Sequence, residues 1–185
     1  ACWGSNAYGR LYVPELTNPR SISTSDTYVC AIDDTGLVCW GYRFNGRISL
    51  PHIQFSAGLN HFCSIVDYGL DCAGDNEFGQ ISFPELENPI KVSSGKNHTC
   101  ALSDTGVTCW GSNESGQVDV PELENPIDIY AGSDNSCAID DSGIVCWGSN
   151  KFGKSNPPII NNPTQLALGD FNSCALDGLE LKCWG

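Results

Sequence analysis

Five pairs of cysteines, Cys30 and Cys39, Cys63 and Cys72, Cys100 and Cys109, Cys137 and Cys146, and Cys174 and Cys183, are each nine positions apart. The second member of each pair opens a Cys-Trp-Gly, or in one copy Cys72-Ala-Gly. Counted from Cys2, these triplets recur at intervals of 37, 33, 37, 37 and 37 residues. Self-similarity at such a period means repeated supersecondary units, none of which buries its apolar face alone. The repeats run 2–38, 39–71, 72–108, 109–145 and 146–182, with a stub at 183–185, and residues 1–185 are read as a single domain. The second repeat is short because the Glu-Leu-Glu-Asn-Pro stretch of its neighbours is missing after Pro51, which marks that stretch as a loop.

Within one repeat, Cys100-Ala-Leu-Ser-Asp-Thr-Gly-Val-Thr-Cys109 has short apolar arms around a turn-forming Ser-Asp-Thr-Gly, the composition of a β-hairpin. If Ser103 faces Gly106, Cys100 lies opposite Cys109, at a Cα separation a disulfide tolerates. A three-residue bulged turn would instead set Cys100 opposite Trp110, so counting leaves both registers open. Period-two alternation puts Cys100, Leu102, Val107 and Cys109 on one face and Ala101, Thr108 and Trp110 on the other. Both faces are apolar enough to be buried, which fits sheets stacked on sheets. Gln117–Val120 and Pro126–Tyr130 also alternate and read as two further strands. The expected fold is all-β, with helix nearly absent: a β-propeller of five short four-stranded blades with a period of about 37 residues, either whole or as a segment of a longer propeller or open array.

The pattern Cys-Trp-Gly-Ser-Asn-x-x-Gly-Gln, then Val-Ser-x-Gly-x-x-His-x-Cys-Ala-Leu, then Asp-x-Gly-x-Val-x-Cys-Trp-Gly resembles the regulator of chromosome condensation repeat along the whole chain. In the third and fourth repeats the resemblance rests on Gly79, Gln80, Gly95, His98, Ala101, Leu102, Asp104, Gly106, Trp110 and Gly111. It implies a propeller of four-stranded antiparallel blades, commonly seven, that binds proteins through its rim or one face. The cysteine-flanked copies are similar to those of secreted bacterial repeat proteins and of the extracellular part of plant Crinkly-type receptor kinases. The short copies are similar to those of a bacterial propeller that inhibits β-lactamases. Ala73 in place of Trp, the short second repeat and the count of five copies depart from the pattern.

Composition narrows the function. Twenty-two acidic residues against nine basic give a net charge of −13 and argue against a nucleic-acid partner, which needs a clustered positive surface. No apolar run approaches the ~20 residues of a membrane-spanning helix. The chain opens on Ala-Cys-Trp-Gly without a basic-then-apolar leader, so a soluble, already processed chain without membrane insertion is expected. A disulfide across a loop of ten residues contributes up to about 2.7 kcal/mol, and five of them require an oxidising compartment. The protein is therefore expected to be secreted or on the cell surface. Cys2 has no partner strand of its own and is the unpaired cysteine, free to join another chain. Asn97-His-Thr and Asn113-Glu-Ser match the glycan acceptor pattern, which has meaning only in a eukaryotic source.

Catalysis has no support in nucleophile, base and orienter sets, so a non-enzyme without cofactor is expected. His61 and His98 share one repeat position, but cysteines held in disulfides cannot ligate a metal, and a blade-bridging hydrogen bond is the plainer role. The Asp pairs of the turns lack the spacing of a calcium loop, so no metal site is assigned. The tryptophans, alternating with Ala, belong between blades. Function in a repeat scaffold lies where copies differ. Four residues before each Cys-Ala or its equivalent stand Asp26, Leu59, Lys96, Ser133 and Asp170, and next to these Asp134 and Phe171; after each Cys-Trp-Gly stand Phe44, Glu77, Glu114 and Lys151. Asp26, Phe44, Leu59, Glu77, Lys96, Glu114, Asp134, Lys151 and Phe171 are the expected partner-binding set, with Phe44 and Phe171 as aromatic anchors. The first reading is a binding module for a protein partner. A glycan-binding propeller is the second, and a filament subunit self-associating through Cys2 or strand ends is the third.

Overall fold

A computed structural model describes residues 2–42, 46–48, 52–67 and 69–185. It is all-β apart from two single turns of 3₁₀ helix, Ala7–Gly9 and Lys151–Gly153. Sixteen strands form five antiparallel sheets in chain order. The first sheet holds β1 (Ser21–Thr24), β2 (Tyr28–Asp33), β3 (Gly36–Gly41) and β4 (Gly46–Ile48), and the second β5 (His52–Ala57), β6 (His61–Val66) and β7 (Gly69–Gly74). The third contains β8 (Lys91–Ser94), β9 (His98–Ser103) and β10 (Gly106–Gly111), and the fourth β11 (Asp128–Ala131), β12 (Asn135–Asp140) and β13 (Gly143–Gly148). The fifth contains β14 (Pro163–Leu168), β15 (Ser173–Asp177) and β16 (Glu180–Trp184).

The hairpin register is the one in which Ser103 pairs with Gly106 and Cys100 with Cys109, closed by a two-residue turn. All five hairpins repeat it, and disulfides join Cys30–Cys39, Cys63–Cys72, Cys100–Cys109, Cys137–Cys146 and Cys174–Cys183 with Cα separations of 4.0–4.1 Å. Cys2 is free.

Four strands per sheet is corrected to three for sheets two to five; among the described residues only the first sheet has a fourth. The segment 117–120 forms no strand, despite its alternation, because its backbone is bonded to side chains. The Gln117 carbonyl accepts from Trp147 Nε1 at 2.9 Å and from the Ser136 hydroxyl at 2.9 Å. The Val118 N–H is taken by the Asn113 side chain. No ladder partner is left for it, and a strand needs one.

Among the described residues four core clusters span two consecutive sheets, and a fifth, Val29, Ala31, Val38 and Trp40, lies on the first sheet alone. Cys100 and Leu102 of the third sheet pack against Ile129, Ala138 and Trp147 of the fourth, while Ala101 and Trp110 on the other face meet Cys63, Ile65 and Leu70 of the second. The disulfide face of one sheet thus beds on the Ala/Trp face of the next, the interlock expected of blades. Ala73 is compensated locally. Its cross-strand neighbour is Phe62, where the tryptophans Trp110 and Trp147 face Thr99 and Ser136, so bulk and hole have exchanged strands. Phe62 is buried with Phe55 against the first sheet.

The first strands β1, β5, β8, β11 and β14 lie side by side as neighbouring sheet edges, whose backbone groups need partners. Ser23, Ser56 and Ser93 supply them: their hydroxyls accept the backbone N–H of Ala57, Ser94 and Ala131 at 2.9–3.1 Å, one sheet onward each time. Gln54 joins β5 to the Val92 N–H and carbonyl of β8 at 2.8 and 2.9 Å. Among the described residues no helix is long and apolar enough to cross a membrane.

Candidate functional site: the axial mouth

At one end of these neighbouring strands, the turn leading into each second strand meets the loop that follows each Cys-Trp-Gly. The turns surround a single cavity of about 250 Å³ to which all five sheets contribute. Its wall is small and polar: Thr24, Ala57, Ser94, Ala131 and Leu168 close the strands, and Gly58, Gly95 and Gly132 begin the turns. The next position in each turn carries Asp26, Leu59, Lys96, Ser133 or Asp170.

The glycines are demanded by packing. A Cβ on Gly95 would stand 2.3 Å from the Gly132 carbonyl and 2.5 Å from His98 Cε1, and Gly58 meets the same obstruction from Gly95 and His61. Behind them, His61 Nε2 lies 2.9 Å from the Thr99 hydroxyl and His98 Nε2 2.9 Å from that of Ser136. Those hydroxyls donate to the carbonyls of Gln80 and Gln117, so each histidine donates through Nε2 and leaves Nδ1 bare. Burial holds both rings neutral, pushing each pKa from 6.5 down to about 4; Asp75 opposes this at His61, and at His98 the neighbouring His61 adds to it while Asp134 opposes. The histidines are therefore blade-bridging donors, and among the described residues no group of three or more His, Cys, Asp or Glu is placed to hold a metal ion.

Of the expected partner-binding residues, the fold brings Asp26, Leu59 and Lys96 together at the mouth, with Ser133 and Asp170. Lys96 and the carboxylates of Asp26 and Asp170 are exposed and form no ion pair with a described residue. Glu77, Glu114 and Lys151 are exposed on the surrounding loops. Asp134 is instead bound to the buried Lys154; burial works to raise its carboxyl pKa, but the hydrogen bond and charge of Lys154 prevail and hold it low. Phe44 lies outside the described residues. Asn97 is half-buried beside Thr99, whose hydroxyl is committed to the His61 bridge, whereas Asn113 is exposed with its amide bonded to Asp119 at 2.8 Å.

Residues outside the expected set shape the mouth. Lys154, 1% exposed, bonds Asp134 and, at 3.0 Å, the Asp170 carbonyl. Its repeat equivalent Arg10 bonds the Asp26 carbonyl. Phe152, beside Lys151, stands edge-on to Phe171 with ring centroids 5.5 Å apart, and Tyr8 packs on Tyr42 at 4.8 Å. The repeat column 10, 47, 80, 117, 154 reads Arg, Arg, Gln, Gln, Lys, which was the available signal for these loops.

Residues 90–117 and 127–154 match the family model of the regulator of chromosome condensation (RCC1) repeat. No curated protein matches the chain. Among solved structures, the ectodomain of the Physcomitrella patens receptor kinase CR4 superposes with a TM-score of 0.83 at 26% identity, over 99% of this chain and 55% of that one. The Crinkly WD40 ectodomain of the Arabidopsis thaliana receptor kinase ACR4 gives 0.75 at 26% identity, over 89% of this chain and 64% of that one. Saccharomyces cerevisiae Prp20p, whose structure was described with its binding to Gsp1p and histones, gives 0.73 at 16% identity over 86% and 55%, and shows the fold alone. The chain thus spans between about half and two-thirds of the length of these structures. Two tandem stretches of the chain are thus RCC1-like repeats, set on disulfide-bearing sheets of propeller-blade form.

Proposed function

We propose that this protein is a non-enzymatic binding module of an oxidising, extracellular compartment that recognises a protein partner through the loops around the axial mouth. The observation that carries the reading is the convergence on one cavity of five equivalent turns that carry four different residue types, Asp26 and Asp170 at the two ends and Leu59, Lys96 and Ser133 between them. Identical pockets in each blade would suit a repeated sugar; a rim that mixes acidic, basic, polar and apolar side chains suits one irregular protein surface. Five disulfides and the likeness to two receptor ectodomains support the compartment.

The test is selection of binders from a displayed peptide and protein-domain library on the oxidised chain, scored against a variant with Asp26, Lys96 and Asp170 replaced by Ala. Binders lost on the variant support the reading. Binders indifferent to it, or retention of glycans but of no protein, refute it.

A further inference from the structure

The loops before the first and last sheets share a unit that those before the third and fourth sheets lack. In the third and fourth copies, the side-chain oxygen of Gln80 accepts the Phe78 N–H at 2.9 Å and that of Gln117 the Ser115 N–H at 2.8 Å, fastening each loop to itself. Where Arg10 or Lys154 replaces the glutamine, no such acceptor exists and the cation reaches across to the carbonyl of Asp26 or Asp170 in the following sheet. The aromatic residue two positions earlier then takes a left-handed backbone: Tyr8 and Phe152 both have φ 65°, a conformation bulky residues seldom adopt. Phe78 and Ser115 do not. Both turned-out rings meet an aromatic ring of the following sheet, Tyr42 or Phe171. Phe152 and Phe171 remain 68% and 67% exposed although each has an apolar neighbour.

The turns that these rings adjoin carry Asp26 and Asp170, whose carboxylates form no ion pair with a described residue. Asp170 precedes Phe171 in its turn, and the Tyr42 N–H is bonded at 2.9 Å to Thr27, the residue after Asp26. Lys151 lies close enough to Asp134 to help hold that carboxyl ionised. An aromatic face next to an unpaired carboxylate is the chemical complement of a guanidinium or ammonium group, and a chain of net charge −13 attracts such groups over a distance.

We propose that Phe152, Phe171 and Asp170 form a clamp for a cationic side chain, and that the partner is a basic protein segment presenting arginine or lysine to the axial mouth. This rests on the protein-binding reading above and deepens it. Lys154 acts as a positioning residue: it fastens its loop to the turn that carries Asp170, which sets the distance between ring and acid before a partner arrives.

The probe is a fluorescent Arg-Gly repeat peptide, with Lys-Gly and Glu-Gly peptides beside it, titrated on the oxidised chain while amide resonances are followed. Phe171→Leu and Phe152→Leu keep the charge and are expected to weaken the arginine peptide about threefold each. Asp170→Asn is expected to weaken it more than Glu122→Gln, which removes the same charge at the far end of β11. Lys154→Gln is expected to weaken it like the Leu variants and to move the Phe152 amide toward the environment of Phe78. Failure of the arginine peptide to bind, or equal losses for Asp170→Asn and Glu122→Gln with the Leu variants silent, overturns the clamp. In the latter case, shifts confined to the mouth loops leave the protein-binding reading standing, whereas shifts confined to the opposite turns around Asp104 and Asp141 overturn both.

Discussion

Acidification should loosen this protein through two buried imidazoles before its carboxylates contribute. His61 and His98 are held neutral, with pKa values of about 4 against 6.5 when exposed, so between those limits the unfolded chain binds more protons than the folded one. Stability then falls as pH falls: the penalty begins near the unfolded value and is complete below the folded one. For one such histidine, RT ln[(1 + 10^(6.5−pH))/(1 + 10^(4−pH))] comes to about 2 kcal/mol at pH 5 and about 0.2 kcal/mol at pH 7. The two together weaken the fold by up to about 4 kcal/mol over that interval. Asp134 and Asp140, whose carboxyls are held low, add their loss only at more acid pH. The informative variant is His98→Asn, since the next repeat carries Asn135, fully buried, at the same position. At pH 7 it should cost about 1 kcal/mol for the lost bond to Ser136. Between pH 7 and 5 it should remove about half the decline measured by urea unfolding with disulfides intact. A decline of unchanged size in a variant lacking both histidines would refute the assignment.

Other substitutions test the packing. Phe62→Ala should lose about 3 kcal/mol of unfolding free energy, since Ala73 opposite cannot refill the space, and Phe62→Ala with Ala73→Trp should recover part of it. Gly95→Ala should destabilise by at least about 2 kcal/mol, because its Cβ meets a backbone carbonyl that cannot yield; an unchanged thermal midpoint would contradict the close approach. Lys154→Ala should cost about 2 kcal/mol in thermal unfolding, less than a fully buried pair because Asp134 is one-third exposed. Alkylation of the unfolded, non-reduced chain should add a single label, on Cys2, and further labels would contradict the five pairs.

The hairpins were legible because disulfide geometry and period-two alternation constrain each other. Cys100 and Cys109 can bond across a two-residue turn, and that register also places both apolar faces where neighbouring sheets cover them. The segment 117–120 misled for an equally physical reason. Alternation reports which faces are buried, and Gln117 is buried, but it does not report whether a neighbouring backbone is present to pair with. There the acceptors of a ladder are occupied by the Trp147 indole and the Ser136 hydroxyl, which arrive from the next sheet.

The same division runs through the site. That Asp26, Leu59 and Lys96 occupy one repeat column could be counted along the chain, and equivalent positions in stacked units necessarily face the same way. The roles of Arg10 and Lys154 could not be counted. Each depends on a carbonyl 16 residues ahead coming within reach of a long cation, and on a bulky residue tolerating positive φ because the loop lacks a glutamine oxygen. Local patterning therefore marked the hairpin strands, narrowed the pairing of cysteines to two registers and gave the column of variable turns, since those follow from residues close together along the chain or from the repeat period. Which turns are braced and which rings meet were decided only when loops and sheets packed, because each of those outcomes is a contact between residues at least 16 positions apart that no local pattern records.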